Sequence, residues 1–229
     1  MNAIRVNIIF VLLALGSNVH AGQQPQLHRG KRANQDIAII VNFPEKPIQI
    51  PNYRSFWNFW AHVFDFNDDN HVMVGHTGVI LVDGSTGALF YYDFGRYNDR
   101  NDLVGPRPEF YGTVRSEHHV PQLKLTKQAI ILNGWITNLD SVLVHLGAKK
   151  LFRSYGRIDA SVVYHLDLAR MVRLADAIES QDYHFYGAPT HQYCTRFVRE
   201  VIRAGGYRFR MGTFTGTQTI REVKWDWPD

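Results

Sequence analysis

His191-Gln192-Tyr193-Cys194-Thr195-Arg196-Phe197-Val198-Arg199-Glu200-Val201-Ile202-Arg203-Ala204-Gly205-Gly206 reads as a helix that opens at or just before Cys194 and stops at the glycine pair. Cys194, Phe197, Val198, Val201 and Ile202 recur at helical spacing and make one apolar stripe. Arg196, Arg199, Glu200 and Arg203 fall on the other side. The glycines supply the left-handed residue that a helix stop uses. Cys194 is the single cysteine of the chain, placed at the positive end of the helix dipole, where a thiolate is stabilised and the thiol pKa falls.

Outward from this helix, the compartment comes first. Arg5, an apolar run over 8–15 and Val19-His20-Ala21 before Gly22 form a secretory signal over residues 1–21. The run is shorter than the roughly 20 residues of a bilayer span, and no later segment is long and apolar enough to be one. Without it, 208 of the 229 residues remain, the size of one domain with a core that needs no disulfide. A lone cysteine outside the cytosol cannot close an internal bridge. It is a reactive thiol, an intermolecular linker or a small buried hydrophobe. The signal carries one Arg and no acid, so the net charge of +4 falls to +3 on its removal. No Lys/Arg block stands out, which favours solvated basic faces over a nucleic-acid surface.

Residues 22–35 are polar and read as a flexible lead-in, with Arg29-Gly30-Lys31-Arg32 as a processing site or plain linker. Residues 36–229 read as a single domain. The apolar run 37–41 is a buried strand, and Pro47 and Pro51 bracket an extended piece. The aromatic stretch 55–64 fits a helix capped by Ser55, packing in the core or walling a substrate site. The acidic 65–70 reads as a solvated turn, since its spacing is not that of an EF-hand. Residues 71–83 are strand-like, 84–87 a tight turn and 88–97 the returning strand. Residues 98–121 read as a long loop. His118-His119 within it lacks a second ligand pair for a metal. Thr126 caps a helix to about 138, and 139–146 continues as a second helical piece. A strand over 161–166 carries His165 and Asp167 at its end as spare polar candidates. An amphipathic helix covers 169–180. The tail, 213–229, is β-prone through its threonines and is expected to close a sheet edge or lie over a groove.

Two strand residues carry chemistry. His76 sits inside an apolar run between Gly75 and Gly78, glycines that permit close approach of another element. Asp93 lies among aromatics in the returning strand, where an unpaired carboxylate is costly. A carboxylate beside a buried imidazole fixes its tautomer and stabilises its charged form. The alternative is a structural His76 and a surface Asp93 on an edge strand. With Cys194 they make what a thiol nucleophile requires: a base for its proton, a group that orients the base, and amides at the helix start, around Tyr193 and Thr195, to hold an oxyanion. No phosphate-cradling glycine loop and no Gly-x-Ser-x-Gly elbow occurs.

Gly75-His76-Thr77-Gly78-Val79-Ile80-Leu81, followed much later by Tyr186-Gly187 and Tyr193-Cys194-Thr195-Arg196-Phe197-Val198, resembles the circularly permuted branch of the papain-like clan. That branch holds the permuted NlpC-type cysteine hydrolases and the lecithin:retinol acyltransferase-like proteins. Tyr193 stands where that family often has Asn, and Asp93 where it often has His, Glu or Gln. The resemblance implies an α+β fold with a central antiparallel sheet and the Cys-bearing helix packed on it. It implies catalytic Cys194, His76 and Asp93, with Tyr193 and Thr195 near the oxyanion and substrate, and no cofactor or metal. The reaction implied is amide or ester cleavage, or acyl transfer, through a thioester. For a secreted or periplasmic bacterial member the leading substrate is a peptidoglycan peptide, and an acyl-bearing lipid is the second. A binding module that has lost activity is the competing class.

Overall fold

The computed structural model describes residues 35–49, 71–73, 75–100, 102–104, 111–152, 156–182, 192–210 and 215–225. The signal segment, the lead-in up to residue 34, the helix expected over 55–64, the acidic turn and Tyr186-Gly187 lie outside them.

A five-stranded antiparallel sheet in the order β6-β5-β4-β1-β9 organises the chain. Its strands are β1 (Asp36–Phe43), β4 (His76–Val82), β5 (Leu89–Gly95), β6 (Thr113–Ser116) and β9 (Asp159–Leu166). β1 is an inner strand, between β4 and β9, and its apolar residues are buried on both faces, which is why it reads as an unbroken Ile/Val run rather than an alternating one. Short β2 (Pro47–Gln49) and β3 (His71–Met73) pair with each other, and β7 (Ile131–Leu132) with β8 (Trp135–Ile136). The stretch expected as one strand over 71–83 is therefore two, separated by Gly75 at φ +76°.

Alternation along β4 divides the protein into two cores. Val79 and Leu81 face helices α2 (Leu168–Ala177), α3 (Cys194–Ala204) and α4 (Gly216–Trp225). Ile80 and Val82 face α1 (Leu139–Gly147) and Phe152. Phe197, Val198, Val201 and Ile202 of α3 are fully buried in the first core, at about 1.5–3 kcal/mol per side chain. Gly205 lets the helix end touch Met171 of α2, and Gly206 at φ +110° takes the left-handed position.

Several expectations are corrected. Part of the supposed loop 98–121 is strand β6, which pairs with β5; the prolines around it hide a four-residue strand whose pattern is short. The supposed helix over 126–138 is instead the β7–β8 hairpin, turned at Asn133-Gly134 with φ 53° and 83°, a dipeptide suited to that turn. Residues 216–225 of the tail expected to be β-prone form helix α4. Its threonine acts as a cap: Gln218 N donates to Thr215 Oγ1 and Thr215 N to Gln218 Oε1, both at 3.2 Å, a reciprocal capping box. Arg199 is not on an open face, because α4 covers it: Arg199 donates to Glu222 Oε2 at 2.6 Å, both buried, and its guanidinium lies 4.0 Å from the Phe209 ring centre.

Candidate active site

The β4–β5 turn sets the register. Asp83 Oδ1 accepts from the amides of Ser85 and Thr86, and Gly87 takes φ +73°. Counting back from it, Gly78 stands opposite Asp93 and Ile80 opposite Tyr91. Tyr91 and Asp93 therefore share one face, with His76 one diagonal step away. Gly78 has a local cause. A Cβ there would overlap the Tyr91 hydroxyl, which needs that space to donate to Asp93 Oδ2 at 2.7 Å.

Asp93 is the hub. Arg115 on β6 grips both of its oxygens, Nε to Oδ1 at 3.1 Å and an Nη to Oδ2 at 2.6 Å. Tyr97 donates its hydroxyl proton to Oδ1 at 2.8 Å, and His76 Nε2 lies 3.1 Å from Oδ2. Burial alone would raise the Asp93 pKa. Arg115 and His76 outweigh it and hold the carboxyl well below the usual carboxylate range. The guanidinium is itself buried, over the Tyr97 ring at 4.2 Å.

This arrangement selects a His76 tautomer. Tyr97 gives its proton to Asp93, so its oxygen, 3.1 Å from His76 Nε2, accepts there. With a carboxylate and an acceptor hydroxyl both at Nε2, that nitrogen carries the proton. Nδ1 is then the nitrogen left for the Cys194 thiol, with which His76 shares a side-chain hydrogen bond. Phe43 stacks on the imidazole at 16° and Tyr97 meets it edge-on. Burial lowers the His76 pKa, but Asp93 and then Cys194 reverse this and raise it above its ordinary value.

Cys194 opens α3 and stays partly accessible. Burial pushes its thiol up; the His76 hydrogen bond and charge, the Thr77 amide and the Thr195 hydroxyl overcome that and leave it below the ordinary thiol value. His76 and Thr77 project to opposite faces of β4, so the thiol meets His76 around the strand start, beside the Thr77 amide. Thr195 does not point into open space. Its hydroxyl is buried, 3.4 Å from Thr77 Oγ1, and Thr77 in turn donates to Asn42 Oδ1 at 3.4 Å. Asn42 reaches Thr217 on α4 at 3.3 Å, and Gly216 has no room for a side chain against Thr77 and Asn42. This polar chain seats the starts of α3 and α4 on the sheet. Tyr193 is extended, half-buried against the helix-side core, and gives α3 no side-chain cap.

Tyr91, Tyr97, Arg115 and Lys46 were not singled out from sequence. Tyr91 was findable, since it is two residues from Asp93 on a strand. Arg115 was not, because it lies in a segment read as loop. Lys46 is buried beside this cluster; burial and Arg115 bring its ammonium down to about 7 against Asp93 and Asp102. The other candidates go elsewhere. Asp167 caps α2 by accepting from Arg170 N at 3.0 Å, His165 sits at φ 65°, and His119 Nδ1 lies 3.0 Å from Ser116 Oγ. Among the described residues no group of three or more His, Cys, Asp or Glu is placed to hold a metal ion, and no helix is long and apolar enough to cross a membrane.

Fold and site together define an α+β protein in which a helix-start cysteine, a strand histidine and a buried carboxylate form one hydrogen-bonded line. Residues 38–207 match the model of the type VI secretion system effector TseH-like family, and the chain belongs to that family. It is similar to the crystal structure of the type VI secretion system effector TseH, with a TM-score of 0.54 and 22% identity over 84% of this chain and 90% of that one, a likeness of fold. No curated protein matches the chain.

Proposed function

We propose that this chain is a cysteine hydrolase of the circularly permuted papain-like kind, acting as an effector outside the cell that makes it. Its substrate in this reading is an amide bond, foremost in peptidoglycan peptides. The observation that carries the reading is the Cys194–His76–Asp93 line, with a thiol held below its ordinary pKa and an imidazole held above its own. Two facts support it further. The order of the residues, His76 118 positions before Cys194, is that of the permuted branch. The family is one of secretion system effectors.

The chemistry follows from the positions. His76 Nδ1 holds the thiol proton, and the Cys194 thiolate attacks the substrate carbonyl carbon. A C–S bond forms as the carbonyl π pair moves to oxygen. The first amides of α3 have no intrahelical acceptor, and face that oxyanion with the positive end of the helix. As the oxyanion collapses, the C–N bond breaks and His76 delivers its Nδ1 proton to the leaving amine. Water then gives a proton to His76 and attacks the thioester, releasing the acid and restoring Cys194. Asp93 stays ionised throughout and holds the imidazole in place.

The test is iodoacetamide labelling at neutral pH, followed by digestion of purified peptidoglycan. Fast labelling of Cys194 that is lost in His76→Ala, and new free amines seen by mass spectrometry with wild type but not Cys194→Ala, are expected. A thiol inert in the folded protein overturns the nucleophile and leaves a binding module. A reactive thiol with no new amines overturns the peptidoglycan substrate alone.

A further inference from the structure

Five large hydrophobic side chains are strongly exposed among the described residues, and four of them, Ile130, Leu132, Trp135 and Val144, fall within one stretch of fifteen positions. The hairpin explains three. Ile131 pairs with Ile136 and Leu132 with Trp135, so each pair points to one side of the ribbon. Ile131 and Ile136 turn inward onto the core under α1. Ile130, Leu132 and Trp135 therefore share the outward side, at 57%, 60% and 47% exposure. Trp135 is braced edge-on by Tyr164 at 4.6 Å rather than withdrawn into the core. The hairpin is pinned at its base: Ile130 N donates to Asn138 Oδ1 at 2.7 Å, Thr137 N to Ile130 O at 2.9 Å, and Ala129 N to Gly87 O at 2.8 Å. A fixed apolar tip, rather than a loose loop, is what these bonds present to solvent.

The segment that carries the hairpin is basic. Between 121 and 152 the chain has Lys124, Lys127, Lys149 and Lys150 against Asp140 alone. Burial first, then the charges of Lys149 and Lys127, lower the His145 pKa, so two of the four lysines converge at α1. His145 Nε2 accepts from Thr126 N at 3.3 Å, tying that basic cluster to the segment leading into the hairpin.

We propose that the β7–β8 hairpin and its lysines form a docking surface for an anionic lipid bilayer. An indole with two aliphatic side chains suits the boundary between headgroups and acyl chains, and lysines beside it suit lipid phosphates. A glycan strand fits less well, because Ile130 and Leu132 offer its hydroxyls no hydrogen bond. The surface lies on the Asp93 side of the sheet and is independent of the thiol chemistry, so either proposal stands if the other falls.

The test is cosedimentation of the purified full chain with phosphatidylcholine vesicles containing phosphatidylglycerol. Binding that weakens with salt and falls at least about tenfold in Leu132→Glu/Trp135→Glu is expected. Lys124→Glu/Lys127→Glu keeps the apolar tip and is expected to weaken binding by more than about fivefold, the effect of a single basic residue near an anionic surface. Far-UV circular dichroism checks that each variant folds, and the lysine variant carries the test if the first does not. No binding to anionic vesicles overturns the proposal, as does equal binding to pure phosphatidylcholine. Loss, in the hairpin variant, of a wild-type dimer or of binding to purified peptidoglycan, with no vesicle binding in either, also overturns it and assigns the face to those partners.

Discussion

Asp93 reaches His76 diagonally across two antiparallel strands, Oδ2 to Nε2 at 3.1 Å, over a glycine that leaves the space between them to a tyrosine hydroxyl. The carboxylate accepts from Tyr91, Tyr97, Arg115 and His76 at once. It therefore fixes one imidazole edge and leaves the other toward Cys194.

The thiol should titrate below the ordinary thiol value. An acid whose pKa is depressed ionises at lower pH, so the midpoint of iodoacetamide labelling against pH lies on the acid side of a free thiol. In His76→Ala the burial stays while the compensating cation and hydrogen bond go, and the midpoint should move to the alkaline side. A midpoint unchanged by the substitution would show that His76 does not set the thiol.

Gly78→Ala should destabilise the protein by about 1–3 kcal/mol, since the new methyl meets the Tyr91 hydroxyl and ring. Adding Tyr91→Phe removes that hydroxyl and should recover part of the loss. Urea denaturation of both variants measures it.

Tyr91→Phe and Tyr97→Phe each remove a hydrogen bond to an ionised carboxylate, at about 1.5–3 kcal/mol apiece. Because both donate to Asp93, their effects should not add. A double-mutant cycle by chemical denaturation reads the coupling, and strict additivity would count against a shared hub.

Lys46→Met should stabilise the fold near neutral pH and below. The folded lysine titrates near 7 and an unfolded one near 10.5. Between those values the unfolded chain binds more protons, so wild-type stability rises with pH across that window. The variant should be steadier by about 1–3 kcal/mol at pH 6, with the gain fading toward pH 10.5. A gain independent of pH would mean that packing, not charge, is responsible.

Breaking the buried Arg199–Glu222 pair on one side, by Glu222→Gln or Arg199→Met, should cost about 3–5 kcal/mol, because the remaining buried charge loses its opposite charge. Replacing both with Met and Leu should cost far less. Thermal melts of the three variants make the comparison.

Much of this was written locally. The unbroken apolar run of β1, the glycine turn between β4 and β5, and the stripe of α3 with its Gly205-Gly206 stop follow from periodicity and turn chemistry, which act over a few residues. So does the prominence of Cys194 and His76 as chemical groups. The stretches that depart from expectation carry local signals too: Asn133-Gly134 suits a hairpin turn, and Thr215 with Gln218 suits a helix start. What only the tertiary structure decided is pairing across distance. The register that puts Gly78 opposite Asp93, the arrival of Arg115 from a four-residue edge strand, and the covering of Arg199 by α4 depend on hydrogen bonds and burial between segments far apart in the chain. Sequence set out the residues capable of chemistry. The sheet, by bringing β4, β5 and β6 side by side, decided that His76, Asp93, Tyr97 and Arg115 act on one another.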